Sequence, residues 1–456
     1  MKRNTQEQYL QDITRKKLSE VFVDFIKAES FSGILLFFCA VCAMIVANST
    51  FSQNYFDFFT QRLGISIGED RFYGFSIQDW VNDVLMVLFF LMVGLEIKRE
   101  VLFGDLAGFK KAAFPVIAAL GGMIVPGIIY FALNAGTASW HGFGIPMATD
   151  IAFVLGVILL LGKCVPMALK VFLVTLAVAD DLGAIMIIAT AYPSPEGVHF
   201  IWLLFSALIV GALIALNKSG VRNLGIYLVV GALLWFCVHH SGIHATIAGV
   251  VLAFCVPVKP KMPSEEFLNL FEELPQKFKQ MDRDKKNVLL TREQMDILST
   301  MAKDSINVQN PLLRLEHALQ PFCAYLIMPL FAFSNAGVNV SGGIDFGLDY
   351  IAPGVFLGLV VGKPIGILLF TFLSEKLGVA ARPVGVRWME ILGAGLLAGI
   401  GFTMSIFVSN LAFDSFGGAD SQSAEDVAKI SILIASSTAG IIGALFLFVY
   451  SHIKKH

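Results

Sequence analysis

Two aspartates, Asp180 and Asp181, stand side by side in a nearly apolar run that extends from Val171 to Ile188. Three more charged groups share such a setting: Asp83 in Trp80-Val81-Asn82-Asp83, Asp150 in Pro146-Met147-Ala148-Thr149-Asp150, and Lys363 between Val360-Val361-Gly362 and Pro364. A carboxylate or ammonium at the centre of a bilayer costs on the order of 2.5–3.5 kcal/mol on insertion scales, so such groups are rare unless paired or facing a water-filled path. Oxygen ligands suit hard cations, and carboxylates also take up protons. Competition between a cation and protons for one site is enough to couple their fluxes. Adjacent helical residues point about 100° apart, so Asp180 and Asp181 cannot share one partner. One can pair with a base while the other faces a pore, and Lys363 is the only mid-span base available. Asp83 lies near the start of its span, where satisfaction by a neighbouring helix accounts for it equally well.

These residues need a membrane around them, and the composition supplies it. The apolar set makes up 56% of the 456 residues and charged residues only 15%, against about 25% charged in a soluble domain. The 33 basic and 35 acidic side chains nearly cancel, which excludes a basic face for nucleic acid. The six cysteines lie in or beside apolar runs without a CxxC pair, and so read as small core residues. A span needs about 20 apolar residues. Twelve stretches are read as spans, at about 31–48, 80–103, 112–134, 145–161, 166–191, 200–217, 223–240, 242–258, 318–340, 351–373, 389–413 and 427–451.

Lys and Arg favour the cytoplasmic side of span ends. With the N-terminus inside, only Arg62, Arg71 and Lys429 fall outside and Lys363 within a span, so both termini are expected to be cytoplasmic. Residues 1–30 carry Arg15, Lys16 and Lys17 opposite Leu18, Val21, Phe22, Phe25 and Ile26, the pattern of a surface-lying amphipathic helix rather than a cleaved signal. Spans one to eight then occupy 31–258, a charged cytoplasmic connection 259–310, and spans nine to twelve 311–456.

Two connections could have structure of their own. Within 49–79, alternation at Leu63, Ile65 and Ile67, a Gly68-Glu69-Asp70 turn, then Phe72, Tyr73 and Phe75 make a candidate external β-hairpin over about 63–76. The 259–310 connection has helical apolar spacing at Phe267, Leu270, Phe271 and Leu274 and a capping-box pattern from Thr291 to Gln294. Its eighteen charged residues favour a solvated loop instead.

Two spans look broken. The fourth opens with Pro146 and carries Thr149-Asp150. The eleventh reads Gly393-Ala394-Gly395-Leu396-Leu397-Ala398-Gly399-Ile400-Gly401-Phe402-Thr403. Helices broken inside a membrane expose ends with partial charges, which Asp150 would offset at N-termini and Lys363 at C-termini. Interrupted spans at matching places in two halves point to a transporter site built from inverted repeats, here spans three to five and ten to twelve.

The segments Val81-Asn82-Asp83, Gly94-Leu95-Glu96-Ile97-Lys98-Arg99-Glu100, Ala148-Thr149-Asp150-Ile151-Ala152-Phe153, Ala179-Asp180-Asp181-Leu182-Gly183-Ala184, Gly242-Ile243-His244-Ala245-Thr246, Pro329-Leu330-Phe331-Ala332-Phe333-Ser334-Asn335-Ala336-Gly337 and Gly362-Lys363-Pro364 follow in order. Together they resemble the NhaA family of sodium/proton antiporters, over about residues 30–450. The resemblance implies an all-α membrane protein of twelve helices, with two broken helices crossing at mid-membrane. It implies electrogenic, pH-regulated exchange of sodium or lithium for protons in the cell inner membrane, with Na+, Li+ and H+ as cargo and no cofactor. It makes Asp181 the principal sodium ligand, with Asp180 beside it and paired to Lys363, and places Thr149 and Asp150 at the crossing. Glu96, Arg99, Glu316 and His317 would line a cytoplasmic funnel where pH acts, and His244 would tune the pH response nearer the outside. Asp83 is a possible accessory, and the hairpin would sit in a homodimer interface within the lipid bilayer. The 259–310 connection is longer than the family pattern, and Gln320 stands where a second histidine is expected.

Other classes fit less well. A channel needs weak multi-site binding along a pore, whereas charge here concentrates at one depth. An intramembrane aspartyl protease needs two aspartates from different helices sharing a proton, and Asp180 and Asp181 are neighbours on one helix. His239, His240 and His244 straddle a span end without a nearby acid, as helix-end polar groups rather than a zinc site. His317, beside Glu316 and Arg314, also reads simply as part of an interfacial ion cluster.

Overall fold

The computed structural model describes residues 32–66, 72–104, 106–192, 197–281, 290–340, 346, 349–414 and 419–453. The expected amphipathic segment 1–30 lies outside them. In chain order the helices are α1 (Ser32–Ala47), α2 (Ser52–Thr60), α3 (Ile77–Phe103), α4 (Phe109–Leu133), α5 (Ile151–Leu161), α6 (Met167–Ala191), α7 (Phe200–Lys218), α8 (Leu224–His239), α9 (Thr246–Cys255), α10 (Ser264–Met281), α11 (Arg292–Asn307), α12 (Pro311–Asn335), α13 (Ile351–Lys376), α14 (Trp388–Ala398), α15 (Phe402–Asp414) and α16 (Ala419–Ile453). A 3-10 segment, Ala138–Met147, precedes α5. Among the described residues seven helices are long and apolar enough to cross a membrane, or up to ten if each bent pair is one span. Helices predominate because a chain in lipid must satisfy its backbone groups internally. The stretches expected as spans at 223–240 and 242–258 form shorter helices, of 16 and 10 residues.

The main apolar core is shared by α1, α3 to α6 and α12 to α16, and a second core packs α7 to α9 against the other face of α3. α4 and α13 cross so closely at Gly121 and Gly366 that a side chain on either would strike the other's carbonyl oxygen, the small-residue contact typical of helices in lipid.

Two long helices widen into a π-turn at the same offset from a proline. Cys323–Ile327 ends two residues before Pro329 in α12, and Gly358–Gly362 ends two residues before Pro364 in α13. A proline ring clashes with the carbonyl four residues earlier, and a widened turn relieves that clash without breaking the helix. Lys363 sits at the exit of the second such turn.

The strands β1 (Arg62–Ser66) and β2 (Phe72–Ser76) form an antiparallel hairpin, with Leu63 opposite Phe75 and Gly64 opposite Gly74. Its turn lies outside the described residues. Phe75 packs edge-on against Trp80 at 6.1 Å and His239 at 5.3 Å, fixing the hairpin to α3 and α8. This defines the hairpin end of the bundle; the other end of α3 carries Glu96 and Arg99.

The 259–310 connection departs from the solvated-loop expectation, since its described part consists of α10 and α11 packed on each other. The Thr291–Gln294 capping box is closed by bonds of 2.9 and 3.2 Å. Amphipathic helices carry many charges on their outer faces while burying a residue such as Ile297, so charge density alone does not exclude them. The backbone N–H groups of Lys261 and Met262 donate to Asn307 O at 3.0 and 3.1 Å, which brings the two ends of the insertion together.

Candidate functional site

The two expected breaks meet at the centre of the bundle. The 3-10 segment and α5 bend by 41° about Ala148–Asp150, and α14 and α15 by 49° about Gly399–Gly401. The Asp150 N–H donates to Ile400 O at 2.8 Å, and Ser405 Oγ donates to Ile145 O at 2.8 Å, so the breaks are bonded to each other. Gly401 has no room for a side chain between Ala148 and Ser405.

Asp150 caps both helices that leave the crossing. Its Oδ1 accepts from the Phe153 N–H of α5 at 3.0 Å, and its Oδ2 from the Thr403 N–H of α15 at 3.1 Å and from Thr403 Oγ1 at 2.5 Å. A carboxylate at two positive helix ends is the compensation expected from the sequence. Ser436 completes the α15 cap, accepting from the N–H groups of Gly401 and Phe402 at 3.2 and 3.1 Å. Because each cap is worth about 0.5–2 kcal/mol, Asp150→Ala should cost about 1–4 kcal/mol of stability, measured by denaturant unfolding in detergent. A variant as stable as the parent would show that the crossing does not depend on this carboxylate.

Asp180 and Asp181 lie midway along α6, 2% and 3% exposed, and point to different neighbours. Lys363 Nζ meets Asp180 Oδ2 at 2.8 Å and is itself wholly buried. It also donates to the hydroxyl of Thr149, which bridges toward Asp180 Oδ2 at 2.5 Å and Ala398 O at 3.1 Å. Ala398 is the last residue of α14, so the ammonium stands beside a negative helix end with Thr149 between them.

Asp181 faces the other way, into a cavity of about 60 Å³ lined also by Glu96, Thr149, Asp150, Gln320 and Met404. Its Oδ1 is buried and has no hydrogen-bond partner among the described residues. A buried carboxylate lining a small, mostly apolar cavity, with Glu96 and Asp150 on the same wall, is suited to hold a small cation or a proton.

The residues expected to carry pH response divide between the two ends. Arg99 joins Glu316 at 3.0 Å and Glu100 at 2.8 Å, with Glu96 at 3.8 Å. His317 is exposed next to this cluster. His244 instead lines a cavity of about 190 Å³ at the hairpin end, with Asn82, Asp83, Asn410, Asp414 and Glu425. Asp83 is therefore separated from the cavity of Asp181. His239 stacks on Trp235 at 5.9 Å, while His240 packs on Phe236 at 4.3 Å.

Residues 23–447 match the sequence profile of the family described as Na+/H+ antiporter 1. The chain belongs to this family, the NhaA antiporters. It is 64% identical over 435 residues to the Na+/H+ antiporter NhaA 2 of Helicobacter hepaticus, covering 95% of this chain and 96% of that one. It is 58% identical over 438 residues to the NhaA of Wolinella succinogenes, covering 96% and 95%. With its apolar helices, membership makes the chain a multi-pass membrane protein.

Several polar groups of this antiporter take structural roles that the sequence does not mark. Thr403 follows the glycine-rich segment as an ordinary hydroxyl, and Ser436 opens a Ser436-Ser437-Thr438 run in which nothing singles it out. Lys98, near the end of α3, turns inward to bond the carbonyls of Ala253, Phe254 and Val256 at 3.3, 2.7 and 2.6 Å, across the end of α9. Lys429 is likewise buried, against Glu425 at 2.5 Å.

Proposed function

We propose that the chain exports sodium or lithium in exchange for entering protons by alternating access at Asp180 and Asp181. The observation that carries this reading is the division of labour in the pair: Asp180 is held by Lys363, while Asp181 makes no ion pair among the described residues and lines a cavity. Three titratable groups meet there, so entry of one monovalent cation can displace more than one proton and make the exchange electrogenic. Thr149 would add a hydroxyl ligand, and Asp150 would hold the crossed helix ends. The cluster of Glu96, Arg99, Glu316 and His317 would set pH response from the cytoplasm, with His244, and Asp83 as an accessory, acting from the hairpin side.

The same proposal has twelve spans in an inner membrane, both termini cytoplasmic and the hairpin outside. Seven single helices, three bent pairs and the short α8 and α9 supply the twelve units. In each half a broken span lies between two long helices, α4 and α6 in one and α13 and α16 in the other, which supports inverted repeats. A homodimer through the hairpin would cover Leu63, 55% exposed.

The test is a sodium or lithium pulse to vesicles containing the purified protein, read with a pH dye and a voltage dye. Cation-driven proton movement that responds to membrane potential is expected, and its absence at every pH from 6 to 9 would refute exchange.

The insertion should be dispensable for this exchange. Its ends are already bonded through Asn307, and closing a shorter loop changes the entropy only slowly with length. Replacing residues 264–305 with a short Gly-Ser splice should keep turnover within about threefold, with a displaced pH profile. Complete loss in a correctly inserted protein would mean that α10 and α11 shape the ion path.

A further inference from the structure

We propose that Asn82, Asn335 and Asn410 form the latch that closes the hairpin end of the ion path, and so are positioning residues for the exchange. The proposal rests on the antiporter reading above.

Asn82 of α3 and Asn335 of α12 bond through both ends of their amides, Asn82 Nδ2 donating at 3.2 Å and Asn335 Nδ2 at 2.8 Å. Asn335 is wholly buried, and its Nδ2 also reaches Phe331 O at 3.0 Å and Ser334 Oγ at 2.8 Å. Asn410 Nδ2, on α15, donates to Asn335 Oδ1 at 2.7 Å; turned over, the same amide would instead donate to Glu425 Oε1 of α16 at 3.0 Å. A line of three amides thus runs across three helices, α3, α12 and α15.

That line borders one of two cavities. Asp181 and Glu96 line one, and Asn82 and Asn410 line the other with Asp83, Asp414 and His244. They share no lining residue among those described. In this conformation the carboxylate of Asp181 faces the cavity on the Glu96 side, and the hairpin side is shut off from it.

The membership of the line suits a latch. Asn410 belongs to α15, whose N-terminus Asp150 caps, whereas Asn82 and Asn335 belong to α3 and α12, outside the broken pairs. Any shift of the crossed helices relative to α3 and α12 must break the contact between Asn335 and Asn410. Side-chain amides both donate and accept, so they chain without charge, and water from the hairpin-end cavity can take over their bonds once they part. An ion pair in that place would leave two stranded charges on opening.

Loss of one or two such bonds shifts a two-state balance by about tenfold. Asn410→Ala and Asn82→Ala, both at partly exposed positions, should therefore populate the form open at the hairpin end. In oriented vesicles the apparent KM for sodium should fall on the hairpin side and rise on the Glu96 side, so that their ratio moves about tenfold. Asn82→Ser, which keeps a hydroxyl, should give a smaller shift. Independently of transport, hydrogen exchange of the purified protein without sodium should quicken several-fold in residues 331–336 and 406–411 and stay unchanged in 176–185. Equal KM changes on both sides, or unaltered exchange protection in a folded variant, would overturn the latch. If the parent protein shows no sodium-driven proton movement, the antiporter reading fails instead, and the hydrogen-exchange comparison still decides whether these amides hold the hairpin end closed.

Discussion

Asp181→Asn should yield a chain that inserts and folds normally yet moves no protons when sodium is added. The substitution keeps the side-chain volume, so packing around the cavity survives. It removes the charge and the titratable proton site together, and an amide offers a cation one neutral oxygen where the carboxylate offered a full negative charge. Stability should change little, because Asp181 forms no ion pair among the described residues, unlike Asp180 with its ammonium partner. That contrast separates Asp181→Asn from a folding defect: exchange falls to the level of empty vesicles while the thermal midpoint stays within a few degrees of the parent. Exchange near the parental rate would remove Asp181 from the coupling site and leave its buried, unpartnered oxygen without explanation.

Legibility followed insertion cost. Asp180, Asp181, Asp150 and Lys363 were conspicuous because each charge in an apolar run demands compensation, and the structure supplies a partner or a cavity for each. The breaks were legible for a related reason, since glycines and Pro146 interrupt helix propagation where long helices are otherwise the only economical solution. Thr403 and Ser436 were not, although they complete the cap that Asp150 begins. A hydroxyl in an apolar helix adds little cost and satisfies itself locally in most places, so only the crossing geometry gives it a role. Asn82 and Asn335 stood inside recognisable segments, but their reciprocal bonding joins residues 253 positions apart, beyond any local pattern. The helices of the 259–310 connection are masked for the opposite reason. Its charge density argued for solvent, while the capping box and the Phe267–Phe271 spacing, both present in the sequence, already specified helices.

Removing Lys363 should destabilise the fold as well as change transport. In Lys363→Ala the Asp180 carboxylate keeps only the Thr149 hydroxyl, because its other oxygen has no partner among the described residues. Lys363 and Asp180 are 0% and 2% exposed, so little solvent is at hand to replace the ammonium. Breaking one side of a buried ion pair costs on the order of 3–5 kcal/mol, more than the net worth of the intact pair, because a stranded charge remains. Thermal and denaturant unfolding in detergent should show this loss, and Thr149, deprived of its donor, should hold the end of α14 less firmly. Asp180→Asn combined with Lys363→Gln removes both charges and leaves two neutral groups able to bond each other and Thr149. If the pair acts as a unit, the double variant should recover much of the stability lost in Lys363→Ala, with a coupling of about 0.5–3 kcal/mol across the cycle. Its transport should stay impaired, since the charge balance around Asp181 would no longer change with cation binding as it does in the parent. A double variant no more stable than the sum of the single losses would mean that Lys363 supports the helix crossing through Thr149 and Ala398 rather than through Asp180.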